Sequence, residues 1–109
     1  MSFKDAQKDV HEWVSQFTEG YWAPLEIMAR LSEETGELAR ELNHIYGPKK
    51  KKSTEETREL GDEMADIIFT VCCLANSHSI DLDDCFKRCI DKLNGRDSDR
   101  FNKKDGKNE

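Results

Sequence analysis

Apolar residues recur along this chain at three- and four-residue intervals in four stretches, separated by polar or turn-forming runs. In the first, Phe3, Ala6, Val10, Trp13, Val14 and Phe17 share one side of a helix with acids and lysines between them, which predicts an amphipathic helix from about Ser2 to Thr18. Gly20 closes it, and Tyr21-Trp22-Ala23-Pro24 forms a short aromatic connection in which Pro24 suits the first turn of the next helix. That second helix is predicted over residues 24–46, with Leu25, Met28, Leu31, Thr35, Leu38 and Leu42 tracing the stripe expected to face the core. Gly36 inside it costs about 1 kcal/mol relative to alanine, which suggests a close backbone approach or room beside its acidic neighbours. Gly47-Pro48 and four lysines then break the pattern. Ser53-Thr54-Glu55-Glu56 has the S-x-x-E form of a capping box, so a third helix is predicted from there to about Asn76. Residues 76–79 read as a turn, Asp81 to Asp84 supply acids suited to a helix start, and Phe86, Cys89, Ile90 and Leu93 define a short fourth helix.

The pattern is all-α. Residues 1–96 form one helical domain, and residues 97–109, with one aromatic and many charges, form a tail expected to be partly disordered. From Ile67 to Ala75 the third helix is apolar nearly all round, more than three other helices can cover, so a homo-oligomer, dimer or tetramer, is expected to complete the bundle.

Acids interrupt the apolar helices at matched places. Glu33, Glu34 and Glu37 stand in LSEETGELARELNHIY, and Glu63 and Asp66 in ELGDEMADIIFTVCCLAN. At ~100° per residue, Glu34 and Glu37 are neighbours on one helix face, as are Glu63 and Asp66 on another. Glu37 stands nine residues before Tyr46 and Glu63 nine after Thr54. An antiparallel hairpin therefore sets both pairs level, each ~13 Å from the turn. Four carboxylates sharing one interface repel unless cations neutralise them, and hard oxygen donors without a well-placed His or Cys point to magnesium, with manganese as a substitute. The bland alternative is a set of solvent-facing glutamates of the kind any helix carries. Glu59 and Asp62 form a second, overlapping E-x-x-D, but the apolar sequence after Asp66 favours the later pair.

Composition narrows the field further. A formal charge of −6 argues against a nucleic-acid polymer as partner. No apolar run approaches the ~18 residues of a membrane span, and MSFKDAQKDVHEW lacks the hydrophobic region of a signal peptide, so a soluble cytoplasmic protein is expected. The four cysteines form no C-x-x-C pair and read as buried free thiols. Glu41-Leu42-Asn43-His44 is the single E-x-x-H element and has no counterpart on a second helix, which weighs against a di-iron carboxylate bundle, and no P-loop is present. The lysine run at 49–52 reads as a solvated loop. Trp13 and Phe17 gather with Tyr21 and Trp22 at one corner, as core or as a platform for a base. Lys92, Arg96 and Arg100 follow the fourth helix, either solvated or within reach of a phosphate chain.

Glu33-Glu34-Thr35-Gly36-Glu37-Leu38 followed by Glu63-Met64-Ala65-Asp66 resembles the E-E-x-x-E and E-x-x-D signature of MazG-like nucleoside triphosphate pyrophosphohydrolases. The likeness extends from the aromatic first helix through ARLSEETGELARELNH and DIIFTVCCLANS to KLNGRDSDRF. It implies an all-α, oligomeric, magnesium-dependent enzyme, a MazG-like bundle of four to five helices that cleaves nucleoside triphosphates to monophosphate and pyrophosphate in nucleotide-pool housekeeping. On this resemblance Glu34, Glu37, Glu63 and Asp66 hold the metal, and Glu33 supports them or orients water. Lys92, Asn94 and Arg96 hold phosphates, and Trp13 or Phe17 stacks on the base. Two other classes stay open: a non-enzymatic helical interaction or regulatory module, and a metal-binding carboxylate bundle without nucleotide chemistry.

Overall fold

Ser2 accepts the amide of Asp5 on its hydroxyl while the Asp5 carboxylate accepts the amide of Ser2, and this reciprocal capping box starts α1 (Phe3–Val14). The computed structural model describes residues 1–48, 56–96 and 100–104; among them follow α2 (Pro24–Tyr46), α3 (Glu56–Ser77) and α4 (Leu82–Arg96), with no strand. α1 stops at Val14, short of the predicted Thr18. The amides of Gln16 and Phe17 reach back only three residues, to the carbonyls of Trp13 and Val14, and Gly20 takes a left-handed φ of 67°. This tightened exit swings Phe17 onto Trp13, their ring centroids 4.9 Å apart.

α2 has the predicted bounds, with Pro24 at its start. The capping box predicted at Ser53 lies outside the described residues. α3 ends one residue later than expected, in a Schellman arrangement: the Ile80 amide donates to the Ala75 carbonyl, the Ser79 amide to that of Asn76, and Ser79 takes φ 54°. Asp81 starts α4 by accepting the amides of Asp83 and Asp84 at 2.9 and 3.4 Å. Asp83 in turn caps α1, accepting from Phe3 and Lys4 at 2.9 and 3.2 Å, and Phe86 packs on Phe3 with centroids 5.1 Å apart.

One side chain ties three helices together. Buried Gln7 of α1 donates to Asn76 Oδ1 on α3 and to the Ile80 carbonyl, and accepts the Leu82 amide at the start of α4. Asn76 answers by donating to the Gln7 carbonyl and to the Tyr21 hydroxyl. Gln7→Ala leaves the Ile80 carbonyl and Leu82 amide without this partner, and is expected to lower the unfolding free energy in urea by about 2–4 kcal/mol.

The core lies where α1 and α2 meet α3: Val14, Ile27 and Cys73 are buried together, with Val10, Tyr21, Phe69 and Leu74 packed around them. Ile27 meets Cys73, and ten residues on Glu37 meets Glu63, so α2 and α3 run antiparallel. On α2 the buried residues are Ile27, Glu34 and Glu41, not the predicted leucine stripe. Leu25, Met28 and Leu42 are 84%, 49% and 40% exposed. The heptad-spaced line 27–34–41 lies against α3, and the apolar edge beside it stays exposed, except at the better covered Leu31 and Leu38. Gly36 makes no close approach, since a Cβ there meets no atom within 4 Å. The radius of gyration is 17.9 Å, against about 13 Å for a compact domain of this length. Among the described residues no helix is long and apolar enough to cross a membrane.

Candidate active site

Because α2 turns Glu34 onto the buried line, its carboxylate is taken out of water, with only 4% of the residue exposed. Glu37, one turn on, and Glu63 of α3 join it, and oxygens of the three carboxylates lie within 4.8 Å of one another. Two oxygens of these carboxylates, Glu34 Oε2 and Glu63 Oε2, are buried without a hydrogen-bond partner. Asp66 lies outside this close trio, yet its charge acts on both Glu34 and Glu63. Its backbone carbonyl accepts the Thr70 hydroxyl at 2.8 Å, a bond one turn along α3. Glu33 is exposed on α2.

The electrostatics follow from burial and crowding. Burial pushes the Glu34 carboxyl above the usual carboxylate range, the charge of Glu37 pushes it further, and the nearby Arg30 guanidinium pulls it partly back. Glu63 is raised for the same first reason, then by its hydrogen bond with Glu37 and the charges of Glu37, Asp66 and Glu34. The folded state thus keeps protons that the unfolded chain, with glutamate near 4.5, has released. In the presence of a chelator, thermal stability should therefore fall as pH rises from that value through the raised folded values, then level off. Glu63→Gln should flatten the slope, which a set of melting curves at stepped pH measures directly.

Carboxylates gathered this closely, with buried oxygens left unpartnered, suit a hard divalent cation, and residues Glu34, Glu37 and Glu63, with Asp66 beside them, fit one of the magnesium or manganese class. Among the described residues no His or Cys joins the group.

Arg30 leads from the acids to an aromatic cleft. One turn before Glu34 on α2, its Nε lies 2.9 Å from Glu34 Oε1, and its guanidinium carbon stands 5.7 Å from the centre of the Trp22 ring. The cleft, about 500 Å³, is lined by Trp13, Phe17, Tyr21 and Trp22 from α1 and the connection after it, by Arg30, and by Phe69 and Cys73 of α3. Trp13 meets Phe69 edge-on at 5.7 Å, and Tyr21 is held by hydrogen bonds with His11 and Asn76 at 2.8 and 3.0 Å. From Glu34 back to Arg30, and from Glu63 on through Asp66 to Phe69, both helices run away from the 47–55 connection, so the cleft continues the acid cluster in one direction.

Trp13 and Phe17, the aromatic pair singled out from the sequence, both line this cleft. The structure places Lys92, Asn94 and Arg96 on the exposed last turns of α4, which packs on α1; none of them lines the cleft, and none contributes to the shifts of Glu34 or Glu63. Sequence reasoning missed Arg30, Phe69 and the buried Glu41. The i,i+4 spacing of Arg30 and Glu34 was the available signal for the first.

An all-α hairpin that gathers carboxylates beside an aromatic cleft is the class of protein that these observations define. Residues 23–101 match the MazG nucleotide pyrophosphohydrolase domain, and the chain belongs to that family. It is 48% identical to the YpjD protein of Bacillus subtilis over 104 residues, covering 95% of this chain and 94% of that protein. It is 34% identical to YvdC of the same organism, over 81% of this chain and 92% of the relative. The crystal structure of YPJD from Bacillus subtilis superposes with a TM-score of 0.79, covering 86% of this chain and 96% of that one. A Bacillus-conserved MazG protein described as a nucleotide pyrophosphohydrolase, 47% identical, superposes with a TM-score of 0.76 over 92% of this chain and 97% of that one.

Proposed function

We propose that this member of a nucleotide pyrophosphohydrolase family hydrolyses nucleoside or deoxynucleoside triphosphates to the monophosphate and pyrophosphate, in nucleotide-pool housekeeping in the cytoplasm. The observation that supports it is the convergence of Glu34, Glu37 and Glu63 beside the aromatic cleft, two of their oxygens buried without partners. Carboxylates cannot bind a polyphosphate directly. Glu34, Glu37, Glu63 and Asp66 would hold magnesium, or manganese in its place, which when bound neutralises charge between the two anionic partners and lowers the pKa of water.

The chain's own residues supply the rest. The cleft is wide enough for one base, and Trp13 and Phe17 offer ring faces to stack on it. With the base held there, the phosphate chain runs past Arg30 toward the acids. A water attacks the α-phosphorus, a carboxylate oxygen of the cluster accepts its proton, and pyrophosphate leaves with the electron pair of the α–β bridging bond. Glu33, exposed one residue before Glu34, orients that water. Lys92, Asn94 and Arg96 lie on exposed turns of α4 outside the cleft, so in this reading Arg30 is the cation that meets the phosphate chain.

A panel of ribo-, deoxy- and base-modified triphosphates assayed for pyrophosphate with and without magnesium tests this reading. Release of pyrophosphate only with the cation is the expected result. Tight cation binding with no turnover of any triphosphate would leave a metal-binding bundle, and no response to either would leave a helical interaction module. Trp13→Ala is expected to raise KM about 5- to 100-fold with little change in kcat, the loss of one base–aromatic stack.

A further inference from the structure

Arg30 does two things at once. Its Nε occupies Glu34 Oε1 at 2.9 Å, while Glu34 Oε2 is buried and unpartnered. It therefore uses one of the two oxygens on the most buried acid of the cluster. At the same time its guanidinium stands 5.7 Å from the centre of the Trp22 ring, on the wall of the cleft, with half of its side chain open to solvent. A cation already sits in a site built from anions, and that cation belongs to the protein.

We propose that Arg30 is the resident counter-ion of the acid cluster, which yields Glu34 when a divalent cation enters and turns to the phosphate chain of the substrate, coupling the order of metal and nucleotide binding. This rests on the pyrophosphohydrolase reading above. The physical steps are few. Without a divalent ion, the guanidinium neutralises part of a cluster of at least three carboxylates that repel one another. Glu34, Glu37 and Glu63 would hold a divalent ion in preference to the guanidinium, because it would offer them twice the charge and repel Arg30. Released, Arg30 remains anchored on α2 between acids and cleft, where a planar fork of donors matches phosphate oxygens. Trp22 gives the freed side chain an aromatic face to lie against, which keeps it at the junction. Arg30 is thus a positioning residue toward the metal and a contact residue toward the substrate.

The two roles have opposite signs in one variant, which makes them separable. Arg30→Gln should bind magnesium alone, or manganese alone, about 3- to 10-fold more tightly than the natural protein, because the competing cation is gone. The same variant should bind a non-hydrolysable triphosphate, with the metal at saturation, about 10-fold more weakly. Arg30→Lys, which keeps the charge but not the fork, should restore the natural metal affinity and only part of the nucleotide affinity. Calorimetry reads both equilibria without turnover. In a Trp13→Phe background, Trp22 is the remaining indole of the two in the chain, and adding magnesium should change its emission when Arg30 is present and not in Arg30→Gln.

Metal affinity that is unchanged or weaker in Arg30→Gln would overturn the proposal, because Arg30 would then support Glu34 rather than compete for it. So would an undiminished affinity for the triphosphate. A natural protein that binds neither cation nor triphosphate would overturn this proposal together with the functional reading, whereas one that binds both while Arg30→Gln behaves identically would overturn this proposal alone.

Discussion

Glu37→Gln is expected to cut pyrophosphate release by about a thousandfold or more while making the metal-free protein more resistant to heat. The two effects have one cause. Glu37 is an exposed residue whose charge pushes up both Glu34 and Glu63, and its carboxylate completes the close trio. Removing its charge relieves repulsion on two acids that already suffer from burial, so the chelated protein gains stability. It also removes a donor from the cation site, so the stabilisation that magnesium confers on the natural protein shrinks or vanishes. Melting curves with chelator and with magnesium, beside a pyrophosphate assay, read all of it. A variant that loses activity and metal-free stability together would mean that Glu37 holds the fold and not the site. The helical circular dichroism spectrum should stay unchanged, because an exposed glutamine continues a helix as well as glutamate does.

That prediction was largely legible in the chain. Helix-breaking residues and capping signals located α2 to the residue and α4 closely, and the spacing of Glu34, Glu37 and Glu63 in two helices joined by a short break set them level. What periodicity could not supply was the rotation of each helix. On α2 the leucines and the line through Ile27, Glu34 and Glu41 are adjacent faces, and hydrophobicity ranks the leucines first. The fold instead buries the line that carries the glutamates, with Ile27 in the core and Glu34 beside Glu63 of α3. The exit of α1 was hidden for a different reason: Ser15, Gln16 and Phe17 are compatible with helix, and the early stop is set by tightened backbone hydrogen bonds that no residue type announces. Phe69 read as one apolar residue among many on α3. Only the packing of α1 across that helix turns it into a cleft wall with Trp13.

The exposed face carries the second large effect. At ~100° per residue, Met28 and Leu42 lie on one side of the Ile27–Glu34–Glu41 line of α2, and Arg30 and Glu37 on the other. On α3, Met64 and Ile68 lie on one side of the Glu63–Thr70 line, and Asp66 and Phe69 on the other. Since the helices are antiparallel, the four apolar side chains, 40% to 49% exposed, share the face behind the site. We propose that a second copy of the chain covers this face, giving a dimer, or a tetramer if α4 contributes through Phe86, Ile90 and Leu93, which are also exposed. Ile68→Lys should then weaken self-association by about 2–4 kcal/mol, roughly 30- to 1000-fold in dissociation constant, through a charge left unpaired in an apolar interface. Sedimentation should show the natural protein assembled at micromolar concentration and the variant shifted to the monomer. The melting temperature of the variant should depend less on protein concentration than that of the natural protein, since the lysine is harmless on a surface that is already in water. A natural protein that sediments as a monomer at that concentration would remove the proposed partner, and Ile68→Lys would then leave both mass and stability as they were.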